Sequence, residues 1–384
     1  MNDASTILSP GQDKAPSVDQ MGVRIPSPEA KQLGSFLIPA TGDPKELFQA
    51  RFLCRGGGML LVGPTGVGKS SFVLQSSVLW SLGKPVFGIR PTQALRILII
   101  QAENDDGDIA EMREGVMAAL TLSEQERKQA NQNILIVTEN TRTGRPFFWE
   151  VVEPSLKKYQ PDLLIIDPAL AYLGGETNSQ KDVGEFLRNR LNPLLTKFNC
   201  GCIVVHHTNK PPQGNEQPAW RGGEFAYLGS GSAEWANWAR GVLAIQRTES
   251  FNTFALRAAK RGSRLGWKNE EGKTMYLKYI AYAKEPGKIY WREAEASELP
   301  ANAEGGPSKE SIVLSLIPDS GEVPKNSLIN KAGAHGVGEK KARQILEDLS
   351  ERGVVVQEEK KRPGKRAAVY VSRNPRPPQA KAQK

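Results

Sequence analysis

Hydrophobic and polar residues alternate in blocks along most of this chain, and the blocks predict strands and helices in turn. Five short aliphatic runs are apolar at nearly every position, which is typical of strands covered on both faces. The predicted strands are residues 59–62, 95–101, 134–137, 163–167 and 202–205. Helical periodicity fills the intervals, at 69–82, at 108–120, from 123 onward and at 183–198. This alternation predicts an α/β fold with a mainly parallel sheet.

The pattern changes on both sides of this region. Residues 1–32 are polar, rich in Pro, Ser and Asp, and lack a sustained period, so a disordered arm is predicted there. A short helical turn is predicted at 44–52. Residues 208–238 show no clear period, and connections of that length are uncommon unless they are functional or disordered. Antiparallel strands are predicted next, at 242–247, 253–260 and 275–283.

A second, smaller module is predicted after a linker at 300–308 that contains Gly305, Gly306 and Pro307. The first domain therefore spans 33–299, the small α+β module 309–372, and a basic tail 373–384. The module is predicted to hold three helices, followed by a hairpin with strands at 354–356 and 367–371. The third helix, 338–352, places four apolar residues at helical spacing along one face. They are Ala342, Ile345, Leu346 and Leu349.

Charge is concentrated in this second module. The chain carries 51 Lys and Arg against 42 Asp and Glu, a net charge of +9, and residues 309–384 hold 16 against 9, which is +7 of that total. Localised positive charge indicates a polyanionic partner such as nucleic acid, although a solvated lysine-rich tail has the same composition.

Cysteine usage and hydropathy predict the compartment. Cys54, Cys200 and Cys202 provide no disulfide framework, which indicates a reduced, cytoplasmic protein. The two closely spaced cysteines lie near His206 and His207, but they flank a predicted buried strand, so we interpret them as core residues rather than metal ligands. No apolar run approaches 18 residues and the first residues carry no basic segment, so neither a membrane span nor a signal peptide is predicted.

The first aliphatic run leads into a glycine-rich turn that opens into a helix. Residues 63–70, GPTGVGKS, fill every position of the G-x-x-x-x-G-K-[ST] phosphate-loop pattern, and Ser71 follows. The predicted nucleotide-binding residues are Gly63, Pro64, Thr65, Gly66, Val67, Gly68, Lys69, Ser70 and Ser71. Lys69 would contact the β- and γ-phosphates, and the Ser70 hydroxyl would ligate Mg²⁺. A chance glycine turn is the alternative, and the flanking strand and helix argue against it.

Three further polar residues lie at the end of a predicted strand or within two residues of it. They are Glu103, Asp167 and His207. Because ligands of an open parallel sheet bind at the carboxyl ends of its strands, we expect these residues to converge beside the phosphate loop. Asp167 is predicted to hold the Mg²⁺ shell, and Glu103 to act as the general base for the attacking water. The alternatives are a turn cap before Pro168 for Asp167 and a helix cap for Glu103; Asp105 and Asp106 are interpreted as charges at a helix start.

Five segments carry a family resemblance. They are GPTGVGKSS, AEND, LLIIDP, VVHHTNK and GSGSAEWANWARGV. Between about Gly58 and Lys260, roughly half of the chain, they resemble the RecA-like ATPases of the plasmid RepA type, which are hexameric helicases related to DnaB. The resemblance implies a RecA-like core that uses ATP and Mg²⁺, assembles as a homo-oligomer, and holds single-stranded DNA in its ring.

The same resemblance implies roles for four residues. His207 would sense the γ-phosphate, and Arg240 would be an arginine finger in the neighbouring subunit's site, with Lys260 and Arg261 as alternative residues acting in trans. A hydrogen-bonded strand-end histidine and a solubilising arginine at a sheet edge are the alternative interpretations. About 32 residues precede the core, too few for the DnaB collar domain, and the carboxyl module departs from the RepA pattern. The sequence thus supports ATPase activity more strongly than helicase activity.

Two segments are predicted to contact nucleic acid. The carboxyl module resembles a winged helix, which would place its third helix in the major groove and its hairpin tip against phosphates. The residues implied are Lys340, Lys341, Arg343, Gln344, Lys360, Lys361, Arg362, Lys365 and Arg366. In the long loop after His207, Trp220, Arg221, Phe225 and Tyr227 are candidates for base stacking beside a charged groove. Protein contacts by the module and simple packing of the aromatic residues are the alternatives.

Three classes of function are compatible with these features. The leading hypothesis is an ATP-driven hexameric motor on DNA. The second is an ATPase switch that loads or regulates a DNA-bound complex without unwinding. A small-molecule kinase is disfavoured because nothing resembles a dedicated acceptor pocket.

Overall fold

The computed structural model describes residues 29–40, 42–208, 222–229, 231–250, 252–269, 271–300, 309–334, 337–361 and 367–374. Its strands are β1 (Glu46–Phe48), β2 (Leu53–Cys54), β3 (Gly58–Gly63), β4 (Ile97–Gln101), β5 (Ile134–Thr138), β6 (Leu163–Asp167), β7 (Gly201–His207), β8 (Gly241–Arg247), β9 (Thr253–Lys260), β10 (Leu277–Tyr282), β11 (Trp291–Glu293), β12 (Glu322–Pro324), β13 (Val355–Lys360) and β14 (Ala368–Arg373).

Most helices connect successive parallel strands. They are α1 (Lys69–Ser81), α2 (Asp106–Ala119), α3 (Glu124–Asn133), α4 (Gly144–Pro146), α5 (Glu153–Tyr159), α6 (Gln180–Gly184), α7 (Asn192–Lys197), α8 (Glu234–Trp238), α9 (Lys309–Ser315), α10 (Lys325–Ala334) and α11 (Glu339–Glu351). Two π-helical segments, Phe147–Val152 and Glu185–Leu191, join α4 to α5 and α6 to α7. No helix in the described ranges is long and apolar enough to cross a membrane.

The main sheet confirms the predicted fold class. Its order is β11-β10-β9-β8-β3-β7-β6-β4-β5. The six strands from β8 to β5 are parallel to their neighbours, and β9, β10 and β11 extend the sheet in antiparallel pairing. This is an α/β core with the strand before the phosphate loop, β3, at its centre.

The apolar runs are continuous because both faces of the sheet are covered. Successive residues of one strand enter opposite layers of the core: Leu60 and Leu164 pack into one layer, while Leu61 and Ile165 pack into the other. Every residue of β3, β4 and β6 is buried. A strand that buries both faces gains nothing from alternating polar residues, which explains the sequence pattern.

Residues 44–52 contradict the helical prediction. They form β1 and the turn that leads to β2 instead, with Ala50 and Arg51 at φ of 55° and 56°, a left-handed conformation that an α-helix excludes. Phe48 and Phe52 are fully buried under the sheet. The apolar spacing therefore reflects side chains that enter one core from a turn.

The sequence analysis also missed some elements of the first domain. The helical run from α4 to α5 was not predicted, and neither was β11, which is only three residues long. Pairing with β10, at Ile280 with Glu293, defines β11, so no periodicity could reveal it.

The carboxyl module has its own core. α9, α10 and α11 pack with a three-stranded antiparallel sheet of order β12-β14-β13. The four predicted apolar residues of α11 are all buried, as expected. β12 was not predicted. Residues 301–308, nearly all of the predicted linker, lie outside the described residues.

Candidate active site

The phosphate loop depends on glycine at its turn. Gly66 and Gly68 have φ of 71° and 73°, values at which other residues are strained. A Cβ on Gly68 would also lie 3.1 Å from Ser71 Oγ and 3.2 Å from Trp291 Cζ2. α1 then begins at Lys69, and its first N–H groups have no acceptor inside the helix. The loop and the helix start thus form an anion site.

Lys69 connects the loop to His207. Its Nζ lies 3.1 Å from Gly63 O, 2.9 Å from Pro64 O and 3.0 Å from His207 Nδ1. Burial lowers the pKa of Lys69, opposed by the charges of Asp167 and Glu103. Burial also lowers the pKa of His207, and the Lys69 charge adds to that effect. A neutral His207 accepts at Nδ1 from the Lys69 ammonium.

The other side of the His207 ring faces Glu103. His207 Nε2 lies 3.9 Å from Glu103 Oε1, and Thr65 Oγ1 lies 3.3 Å from Nδ1. Because Lys69 donates to Nδ1, the ring proton belongs on Nε2, toward the carboxylate. The structure thus places His207 between Lys69 and Glu103, at the carboxyl ends of the parallel strands.

Asp167 closes the site from β6. It is only 5% exposed and accepts a hydrogen bond from the Ser70 side chain. Burial raises its pKa to about 6, the Ser70 hydrogen bond and Lys69 oppose this, and Glu103 adds to it. A buried carboxylate beside a hydroxyl, both oxygen donors, is the chemistry that Mg²⁺ binds, and the cation would compensate the desolvated charge. Ser70 and Asp167 therefore fit the predicted magnesium site.

Gln101, which the sequence analysis did not single out, fixes the turn that carries Glu103. Its Oε1 accepts from Glu103 N at 3.1 Å and from Asn104 N at 2.8 Å. Its Nε2 donates to Asn104 O at 2.8 Å and to Thr138 Oγ1 at 2.9 Å. The side chain is 4% exposed. The available signal was a lone polar residue at the end of the apolar run LRILIIQ.

The helix start after Glu103 uses other carboxylates. Asp105 is the N-cap of α2 and forms a reciprocal capping box with Asp108. This confirms the interpretation of Asp105 and Asp106 as helix-start charges. It also leaves the Glu103 side chain, which is 55% exposed, outside the cap.

The three candidates for a residue acting in trans lie at the end of the strands opposite to the phosphate loop. Arg240 N donates to Gly58 O, at the start of β3, whereas the phosphate loop follows the end of β3. Lys260 pairs with Val242 at the same end, and Arg261 follows it. β3 spans roughly 16 Å at 3.3 Å per residue, so these side chains lie far from the loop of their own chain. Arg240 is exposed, while Lys260 donates to Ala236 O at 2.9 Å.

The long loop after β7 starts and ends beside the site. Thr208 forms a β-bridge with Gly229, and its N–H donates to Gly63 O at 3.1 Å. Of the predicted stacking residues, Trp220 and Arg221 lie outside the described residues. The Arg257 guanidinium lies over the Phe225 ring at 4.2 Å, and Tyr227 is exposed.

The predicted DNA-contacting residues of the carboxyl module lie on its surface where they are described. Lys340, Lys341 and Arg343 are exposed on α11, and Arg343 pairs with Glu339 at 2.7 Å. Lys360 pairs with Glu322 at 2.6 Å, which reduces the positive field of β13. Arg362, Lys365 and Arg366 lie outside the described residues.

The cysteines and the first histidine of the pair are core residues. Cys200 and Cys202 are fully buried, and the His206 ring stacks on Trp235 at 4.4 Å. Within the described ranges, no group of three His, Cys, Asp or Glu residues is arranged to hold a metal ion.

The phosphate loop lies inside the segment that matches a known protein family. Residues 31–213 match the family described as AAA domain. The crystal structure of the RadB recombinase is 14% identical, with a TM-score of 0.41, over 63% of this chain and 92% of that one. A DnaB-like replicative helicase is 15% identical, with a TM-score of 0.41, over 61% of this chain and 58% of that one. No curated protein matches the chain.

Proposed function

We propose that this chain is an ATP-hydrolysing motor that assembles as a hexamer and acts on DNA in the cytoplasm, as a replicative-type helicase of a plasmid, phage or mobile element. The observation that supports the chemistry best is the line of Lys69, His207 and Glu103, beside the hydrogen-bonded pair Ser70 and Asp167. This set supplies a phosphate-binding cation, a polar sensor, a base and a metal-binding pair at one sheet edge.

Each side chain has one task in hydrolysis. Lys69 exchanges the carbonyls of Gly63 and Pro64 for phosphate oxygens of ATP. Ser70 and Asp167 would hold Mg²⁺, which would supply positive charge to neutralise the phosphates. Glu103 accepts a proton from the attacking water, whose oxygen bonds to the γ-phosphorus as the bond to the bridging β–γ oxygen breaks. Neutral His207 contacts the γ-phosphate and changes its contacts when that phosphate leaves.

The position of the long loop supports coupling to DNA. Residues 209–229 begin two positions after His207, and their base is joined to Gly63 through Thr208. Loss of the γ-phosphate would therefore be transmitted to this loop through the end of β7. Single-stranded DNA in the ring would contact this loop and the one after Asp167, while the winged-helix-like module binds duplex.

The decisive test is MgATP hydrolysis by the full chain, with and without single-stranded DNA, together with directional strand separation. We expect hydrolysis, stimulation by DNA and unwinding in one direction. Native mass spectrometry with nucleotide and DNA should show a hexamer. Stimulated hydrolysis without unwinding would establish the ATPase switch instead, and phosphate transfer to a small molecule would contradict both.

Deleting residues 305–384 should leave a folded ATPase with weaker duplex binding and a smaller salt dependence. That segment carries +7 of the net charge of +9, and each phosphate contact contributes about one unit to the salt slope. Titration of duplex DNA at several salt concentrations measures both.

In the full chain, Lys340→Ala/Lys341→Ala should weaken duplex binding in the same sense. Lys157→Ala/Lys158→Ala, which removes equal charge from the exposed side of α5, should not. Unchanged affinity and slope after the deletion would show that the module serves another partner.

A further inference from the structure

Two aromatic residues of the antiparallel strands are hydrogen-bonded to the phosphate loop from the side of the sheet extension. Tyr282, at the end of β10, donates through its hydroxyl to Val67 O at 3.0 Å. Trp291, at the start of β11, donates through Nε1 to Ser71 Oγ at 3.1 Å, and that hydroxyl donates to Gly68 O at 2.8 Å. Both contacts end on the turn that begins α1.

A second pair of bonds ties β11 to α1. Gln75, one helical turn after Ser71, donates through Nε2 to Trp291 O at 2.8 Å and accepts from Trp291 N at 2.6 Å. The Gln75 side chain thus makes the two hydrogen bonds to the Trp291 backbone that a further strand beside β11 would make. Gln75 is 3% exposed and Trp291 1% exposed, so water does not compete for these bonds.

Packing restricts both aromatic rings. The Trp291 ring contacts Phe72 and Phe254 at centroid distances of 6.0 and 5.2 Å, and the Tyr282 ring at 4.5 Å. The Tyr282 ring also packs on Phe254 at 4.9 Å. Rings held on several sides present their polar atoms at fixed positions.

The geometry of the peptide bond gives these contacts a consequence for ligand binding. In a planar trans peptide, the carbonyl of one residue and the N–H of the next point in opposite directions. A Val67 carbonyl held toward Tyr282 therefore turns the Gly68 N–H away from that hydroxyl, into the turn of the loop. The loop needs inward N–H groups to bind phosphate, and Gly68 at φ 73° could otherwise reorient.

We propose that Tyr282 and Trp291 are positioning residues that hold two consecutive peptides of the loop in their phosphate-binding orientation, so that the antiparallel strands β10 and β11 set the affinity for nucleotide. Tyr282 holds the Val67–Gly68 peptide, and Trp291 holds the Gly68–Lys69 peptide through Ser71. This inference rests on the proposed nucleotide binding at the same loop. Neither residue touches the reacting atoms, because both act through the backbone of the loop and Ser71.

The test is Tyr282→Phe in the full chain, which removes one hydroxyl and keeps the ring. We expect the Kd for MgATP to rise about fivefold to tenfold, the usual effect of one lost hydrogen bond. The kcat at saturating MgATP should stay within twofold, because Lys69, Glu103 and His207 are untouched. Trp291→Phe should shift Kd in the same direction, and Tyr276→Phe, which removes a hydroxyl from an exposed ring, should match wild type.

Binding of inorganic tripolyphosphate distinguishes positioning of the loop from contact with the adenine ring of ATP. In Tyr282→Phe, the affinity for tripolyphosphate should fall by the same factor as the affinity for MgATP, because tripolyphosphate has no adenine ring but binds the same loop. A loss of affinity for MgATP alone would mean that Tyr282 contacts the adenine ring, and would overturn the proposal. So would a lowered Tm with unchanged Kd, which is the sign of a purely structural role.

The wild-type protein distinguishes this inference from the proposed function. A chain that binds MgATP without hydrolysing it would overturn the proposed motor, and the Kd comparison would still decide the role of Tyr282. A chain that binds neither MgATP nor tripolyphosphate would overturn both.

Discussion

Lys69 and Glu103 lie on the two sides of His207, and their chemistry predicts different defects when each is removed. Lys69 is a buried cation that contacts two loop carbonyls and the His207 ring. Glu103 is half exposed and lies at the position where a water molecule can approach. In the proposed mechanism, Lys69 acts on bound phosphate, whereas Glu103 acts on the attacking water.

Lys69→Ala and Glu103→Gln should both abolish hydrolysis but differ in binding. The lysine contacts ground-state phosphates, whereas the glutamate acts mainly in the transition state. Glu103→Gln should therefore keep its affinity for MgATP, and Lys69→Ala should lose it. Equilibrium binding and steady-state hydrolysis measure the two effects, and wild-type turnover by Glu103→Gln would place the base elsewhere.

Gln101→Leu should lower kcat by about tenfold to a hundredfold and leave the Kd for MgATP nearly unchanged. Without the amide, the turn from Glu103 to Asn104 loses the groups that hold it, and a base displaced by about 1 Å is costly. Gln129→Leu on α3 is the matched control. Equal losses in both variants, or a loss in Kd alone, would contradict a positioning role for Gln101.

At the scale of elements, register determines which side chains meet. In the pairing of β4 with β6, Gln101 lies opposite Asp167. The turn that carries Glu103 and the carboxylate proposed to bind Mg²⁺ therefore lie at the same height along neighbouring strands. β5 continues the edge, with Thr138 opposite Gln101 and Glu139 just beyond it. Parallel strands of equal length therefore align the site.

Glu139 should stabilise this edge in a pH-dependent way. Burial alone would raise its pKa, but hydrogen bonds from Thr141 and Arg142 outweigh that effect and lower the pKa to about 2. The unfolded value is about 4.3, so the stabilisation is complete above that pH and is lost as the pH falls toward 2. Glu139→Gln should cost about 1 to 3 kcal/mol of unfolding free energy at pH 7 and less at pH 3.

Urea unfolding at the two pH values measures this difference. The matched control is Glu150→Gln, which removes the exposed partner of Arg142 and should cost under about 0.5 kcal/mol. A stability loss for Glu139→Gln that is the same at both pH values would show that the charge has no part in it.

At the scale of the whole molecule, the sheet separates the phosphate loop from Arg240, Lys260 and Arg261. In the proposed mechanism, Mg²⁺ and Lys69 would not neutralise all of the charge that develops between the β- and γ-phosphates, and an inserted arginine is worth roughly 10³ to 10⁵ in rate in this chemistry. A residue at the opposite end of the strands can supply that charge only to a neighbouring subunit. Hydrolysis should therefore require assembly and rise with protein concentration before it levels off.

Mixing inactive Arg240→Ala protein with inactive Lys69→Ala protein should restore part of the activity. Each variant supplies the half of the shared site that the other lacks, so some interfaces become wild type. Hydrolysis measured against mixing ratio should pass through a maximum. A fully active Arg240→Ala protein would move the role to Lys260 or Arg261, and a fully active monomer would rule out shared sites.

The sequence by itself determined the α/β class, the phosphate loop and the positions of Asp167, Glu103 and His207 at strand ends. These features are local, because a strand buried on both faces must be apolar and a phosphate turn requires glycine at set positions. Lys69 and His207 are 138 residues apart, and we expected them to converge because parallel strands present their carboxyl ends on one side of the sheet. That β3 and β7 are direct neighbours is seen only in the structure.

Only the tertiary structure decided the roles of Gln101, Tyr282 and Trp291 and the separation of Arg240 from the loop. Trp291 lies 220 residues after Ser71, and its contact depends on three antiparallel strands whose pairing no local pattern specifies. The turn at 44–52 was predicted wrongly for a related reason, since apolar spacing records which side chains are buried but not the backbone that buries them. Contacts between distant segments are set by packing of the whole sheet, and local propensity carries no record of them.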